Sequence, residues 1–104
     1  MVSTASSNGK EHVKISGGDW IELPSWISHG QMKQIQRILK ENRESEIEVQ
    51  TKIVAFLGSE WSLKDSNGDP LPLTPAGIEQ AKQTKINECF EACTRLVAAA
   101  TPNA

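Results

Sequence analysis

Apolar positions along this chain follow two different periods, and the change from one to the other marks its elements. His12-Val13-Lys14-Ile15 and Trp20-Ile21-Glu22-Leu23 are short segments with β-type residues on either side of Ser16-Gly17-Gly18-Asp19, which predicts an N-terminal β-hairpin around a Gly-Gly turn. Pro24 lacks a backbone donor and ends the second strand. Ser28 then stands in the position of a helix N-cap, ahead of Met32, Ile35, Ile38 and Leu39 at helical spacing, so a helix is expected over about Ser28 to Asn42. Between Ser45 and Leu57 the length of the apolar pattern favours a second helix stopped by Gly58. The alternation of Glu46-Ile47-Glu48-Val49-Gln50 keeps a strand open there.

Trp61-Ser62-Leu63 suits a brief strand, and Asp65-Ser66-Asn67-Gly68-Asp69 is a strong turn signal. Pro70-Leu71-Pro72-Leu73 is extended, because each proline biases its predecessor away from the helical region. Thr74-Pro75 pairs an N-cap with a proline suited to the first helical position. From there Ile78, Ala81, Ile86, Cys89, Phe90, Cys93, Leu96 and Val97 lead along a last long helix, closed by Thr101-Pro102. Residues 1–10 read as a flexible N-terminal tail, residues 11–100 as a single domain and residues 101–104 as a C-terminal tail. The expected fold is mainly α: a small helical domain of three to four helices with a short N-terminal β-hairpin.

Composition narrows the function classes. At 104 residues, 38% hydrophobic and 23% charged, the chain lies clear of the low-hydrophobicity, high-charge regime of disordered proteins. A net charge of -2, spread over both halves, argues against a large phosphate-contacting surface. Cys89 and Cys93 sit four apart on one helical face, an unfavourable geometry for a mutual disulfide, and read as reduced thiols. No charged-then-apolar leader opens the sequence, and no apolar run reaches the roughly 20 residues of a membrane span, so a cytoplasmic protein is expected.

Candidate chemistry is sparse. Asp65, Asn67 and Asp69 alternate like the start of a calcium loop, but Gly68 falls at position four and Ala76 at position twelve, where glycine at six and glutamate at twelve are required. The two cysteines lack paired histidines, since His12 and His29 are distant in sequence, so buried packing suits them better than zinc ligation or nucleophilic catalysis. No cofactor, metal or small-molecule substrate is expected, and the chain reads as a non-enzymatic protein-binding factor. Three tryptophans with no tyrosine are the compositional signal for contact. Each tryptophan favours packing over interface, with Trp26 the most exposed of them. The residues assigned to partner binding are Trp26, Met32, Trp61, Leu71 and Leu73.

The pattern Asp19-Trp20-Ile21-Glu22-Leu23, a basic helix, then Trp61-Ser62-Leu63-x-Asp65-x-x-Gly68-x-Pro70-Leu71-Pro72-Leu73-Thr74 and a closing helix resembles the small tail assembly chaperones of long-tailed bacteriophages. The resemblance spans about Asp19 to Val97 and is sharpest from Trp61 to Thr74. It implies a factor, working in the cytoplasm of a bacterial host, that holds a long helical tape measure protein until tail tube subunits assemble around it. A structural virion subunit, as a head-tail connector or minor tail component, is the alternative, and a small DNA-binding regulator is a third reading. A homo-oligomer is compatible with each.

Overall fold

The computed structural model describes residues 9–100; the tail expectations for residues 1–8 and 101–104 lie outside the described residues. Strand β1, Lys10–Lys14, pairs antiparallel with β2, Trp20–Pro24, in the register Lys10↔Pro24, Val13↔Ile21. The five residues between them contain a 3-10 turn over Ser16–Gly18, so the connection is longer than a bare Gly-Gly turn. Gly9 and Lys10, placed in the tail by composition, belong to the hairpin: Lys10 pairs with Pro24, and the Gly9 carbonyl accepts from the Ser25 amide at 2.8 Å. The two-residue β3, Glu60–Trp61, adds to the other side of β2 and completes a three-stranded sheet of order β1-β2-β3. Alternation along β2 turns Ile21 and Leu23 into the core and leaves Trp20, Glu22 and Pro24 half-buried on the outer face.

Four helices complete a mainly α domain: α1 (His29–Glu41), α2 (Glu46–Leu57), α3 (Pro75–Gln80) and α4 (Gln83–Ala100). Their starts are chemically determined. Ser28 and Gln31 form a reciprocal capping box, with the Gln31 amide donating to Ser28 Oγ at 3.1 Å and the Ser28 amide donating to Gln31 Oε1 at 2.8 Å. Ser45 Oγ accepts from the Glu48 amide at 3.2 Å, and Glu46 and Glu48 place negative charge on the positive end of α2. Thr74 Oγ1 accepts from the Gly77 amide at 3.2 Å, with Pro75 at the first helical position. Residues 46–50 are therefore helical, which removes the strand alternative.

The last long helix is a correction. Ala81 is extended, with ψ 159°, and its amide bonds back to the Ile78 carbonyl, ending α3; α4 then restarts with the Lys85 and Ile86 amides on the Lys82 carbonyl. The break lets α3 and α4 pack separately against α2, which also packs against α1. Side chains from all these elements meet in one core, led by Ile21, Ile35, Val54, Cys89 and Cys93, which is the apolar burial that holds so small a domain together.

Candidate protein-binding surface

The Trp61 to Thr74 segment, the most distinctive stretch of the sequence, is spent on the fold itself. Trp61 is buried and its indole Nε1 donates to the Leu71 carbonyl at 2.8 Å, which satisfies the one polar group of the ring. The Leu71 amide donates to the Leu63 carbonyl at 3.0 Å, and Lys64 bridges to Pro70. At the tip, Asp65 Oδ1 accepts from the amides of Asn67 at 2.8 Å and Asp69 at 3.0 Å. That carboxylate is occupied in holding the turn, which is how the alternating Asp-Asn-Asp is used.

These placements divide the five residues assigned to partner contact. Trp61 and Leu71 are buried among core side chains and leave the contact set, because a side chain already enclosed by its own fold offers no surface to another protein. Leu73 is half-buried beside Gly58, and Met32 is half-buried on the flank of α1. Trp26 is 66% exposed and lines a cleft of about 490 Å³ with Pro24, Gln31 and Phe56.

Sequence periodicity missed a second apolar surface. Ile35 and Ile53 form the buried floor of a groove whose walls are Leu39 of α1 and Phe90 and Val97 of α4, with Thr94 and Ala98 at its rim. Leu39 is 44% exposed, whereas Phe90 and Val97 are half-buried rather than enclosed as a core face requires. The missed signal is the width of the α1 stripe. Leu39 and Met32 lie about 40–60° round the helix from Ile35, more than one neighbouring helix covers. The groove measures about 190 Å³, below the roughly 300–1,000 Å³ of drug-sized ligand sites. It suits one or two apolar side chains of a larger partner.

Polar chemistry gathers elsewhere, around an open cleft of about 700 Å³ lined by Asp19, Ser62, Lys64, Lys82 and Lys85. Lys85 Nζ lies 2.9 Å from Asp19 Oδ2, and Ser62 Oγ donates to Asp19 Oδ1 at 2.9 Å while accepting from the Trp20 amide at 2.9 Å. Glu88 accepts from the Ser16 amide at 2.8 Å and from Ser16 Oγ at 2.7 Å, and Lys85 also donates to the Ser16 carbonyl. The hydrogen bond from Lys85 holds the Asp19 carboxyl below its ordinary value against a smaller opposing effect of burial. The Ser16 amide and then its hydroxyl hold Glu88 down likewise. Both carboxylates are thus tuned away from the neutral range in which a general acid or base works, and serve to tie the hairpin loop to α4.

Cys89 and Cys93 are free and fully enclosed, and burial pushes both thiols up to about 12. The nucleophilic form of cysteine is the thiolate, so neither is activated. No family model, curated protein or solved structure matches this chain. Surface chemistry therefore carries the functional assignment, and the apolar groove between α1 and α4 is its most specific feature.

Proposed function

We propose that this chain is a non-enzymatic protein-binding factor that uses the α1–α4 groove as its principal contact. The observation that carries the proposal is the exposed wall of Leu39 above the buried Ile35 and Ile53, which leaves a concave apolar surface of side-chain size. Trp26 and Phe56 supply a second aromatic patch at the other end of α1 and α2. The narrower proposal is that the partner is a tape measure protein held before tail assembly in a long-tailed bacteriophage. Support for that step comes from the resemblance of the Trp61 to Thr74 string alone.

A pull-down with the full chain from cells co-expressing its neighbouring genes, read by mass spectrometry, tests both levels. Recovery of a long helical protein, lost with Leu39→Asp and kept with Trp20→Phe on the outer sheet face, is the expected result. Recovery of portal, connector or tube subunits instead moves the function to a structural virion component, as would abundant peptides from this chain in purified particles. Capture that is indifferent to Leu39→Asp removes the groove from the proposal.

A further inference from the structure

Strand β1 is one edge of the sheet, and its hydrogen-bond parity leaves half of its backbone unused. The Ser25 amide donates to the Gly9 carbonyl and the Ile15 amide to the Asp19 carbonyl, so the odd-numbered residues of β1 bond to β2 and the even-numbered ones point away. The same parity holds on β2, where the carbonyls of Glu22 and Trp20 accept from the Ser59 and Ser62 amides on the opposite side. Lys10, His12 and Lys14 therefore direct their N–H and C=O groups outward from the edge, and all three residues are exposed.

Side chains alternate in step with the backbone. Glu11 and Val13 stand opposite the buried Leu23 and Ile21 and face the core side, which puts Lys10, His12 and Lys14 on the outer face. Lys10 lies across from Pro24 and Lys14 across from Trp20, so neither meets a carboxylate on β2. Among the described residues neither takes part in an ion pair. On the core side, an open cleft of about 380 Å³ lies between β1 and the C-terminal half of α4, lined by Val13, Leu23, Leu96 and Ala99 with Glu11 and Arg95.

Lysine on an edge strand discourages pairing with a copy of itself: an antiparallel second β1 centred on His12 would set Lys10 against Lys14 at both ends. The same charges select a strand of opposite sign. Residues 1–8 contain no acidic residue, so the sequence just before β1 does not supply it. Resting on the protein-binding proposal above but on a surface separate from the α1–α4 groove, we infer that β1 accepts an antiparallel strand from a partner protein, with carboxylates opposite Lys10 and Lys14 and apolar side chains over the cleft beside Val13. Main-chain bonds to Lys10, His12 and Lys14 supply attachment, and the alternation of acid and apolar residues supplies selectivity.

The test titrates the full chain with labelled peptides, read by fluorescence anisotropy. One peptide alternates glutamate and valine, a second alternates lysine and valine, and a third is the first with N-methyl groups on its glutamate amides. In the antiparallel register those amides donate to β1. The unmethylated glutamate peptide is expected to bind at least about tenfold more tightly than either of the others, and its advantage over the lysine peptide is expected to shrink as salt rises. Lys10→Glu together with Lys14→Glu is expected to invert the charge preference. His12→Pro, which removes an outward N–H and no bond to β2, is expected to weaken the glutamate peptide while the melting temperature stays near that of the parent. Equal binding of the glutamate and lysine peptides, or of the methylated and unmethylated ones, overturns the inference, as does binding of none. Dimerisation of the chain that His12→Pro abolishes also overturns it, by giving the edge to a second copy. The pull-down with Leu39→Asp decides the α1–α4 groove separately, so either contact can fail without the other.

Discussion

The Trp61 to Thr74 loop and the α1–α4 face use the same kind of residue for opposite ends. In the loop, Trp61, Leu63 and Leu71 are enclosed, and the indole N–H and the turn carboxylate find partners within the segment itself. On the helical face, Leu39 stands 44% exposed over a floor that is already buried, so apolar surface remains in water after the fold is complete. The difference teaches that a distinctive string of residues need not be a contact surface. Turns rich in proline and glycine are distinctive because their backbone geometry is demanding, whereas a binding face built from leucine, phenylalanine and valine looks like any other helix.

The largest effect separates the two tryptophans. Trp61→Ala removes a buried ring and leaves the Leu71 carbonyl without its donor, and is expected to cost about 3–5 kcal/mol in urea denaturation. Trp26→Ala, at 66% exposure, is expected to stay within about 0.5 kcal/mol. Leu39→Asp belongs with Trp26 in stability and reverses that rank in partner capture. Comparable destabilisation by Trp26→Ala and Trp61→Ala would collapse the distinction between a structural loop and a contact face.

Close packing under the loop gives the next effect. A Cβ on Gly77 would lie 1.9 Å from the Pro72 carbonyl oxygen, so α3 abuts the proline run at a point that admits no side chain. Helix propensity alone predicts that Gly77→Ala stabilises by about 1 kcal/mol. The contact with Pro72 predicts the reverse, a loss of about 3 kcal/mol. The sign of the melting shift distinguishes them, and a stabilised variant would show that the Pro72 backbone is free to retreat.

Several of these features were legible in advance, for local reasons. Ser28, Ser45 and Thr74-Pro75 marked helix starts because capping is decided within four residues, and Asp65 to Asp69 marked a turn because its carboxylate bonds its own backbone. The break at Ala81 was not legible. Ile78, Ile86, Cys89 and Cys93 fit one continuous helical face, and only the need to pack two separate segments on α2 divides it. The brief strand expected over Trp61-Ser62-Leu63 forms one residue earlier, over Glu60–Trp61, where these two residues pair with Ile21 and Glu22 at the edge of β2. The groove depends on the spacing between α1 and α4, which lie some fifty residues apart in sequence, so residue pattern indicated its side chains but not that they remain uncovered.

Within the loop, the turn tip offers a smaller test of backbone demand. Gly68 adopts φ +86° with open space where a Cβ would point, so a substitution there meets strain without a clash. Gly68→Val is expected to lose about 1–2 kcal/mol, and Gly68→Asn distinctly less because asparagine tolerates this region. Equal losses in thermal denaturation would show that something other than the dihedral limits the site.

The smallest effect lies at the polar network that joins the sheet to α4, and it sharpens the comparison by acting on one region alone. Lys85 holds Asp19 ionised, so the carboxyl titrates lower in the folded protein than in the unfolded chain. A depressed folded value means that the stabilisation is present at pH above the ordinary aspartate range and is lost as pH falls through the folded value. Glu88, held down by Ser16, has the same sign. Asp19→Asn is therefore expected to lower the melting temperature modestly at neutral pH, with parent and variant converging as pH falls through the folded value of Asp19. Acid should also loosen the hairpin loop before it reaches the α1–α4 groove, because the titrating groups connect Ser16, Asp19 and Ser62 to Lys85 and Glu88, while the groove is walled by carbon. Hydrogen exchange that rises first at the Trp20 amide, which Ser62 accepts, would locate the loss at the network; uniform acceleration through α1 and α4 would mean that the two regions melt as one unit.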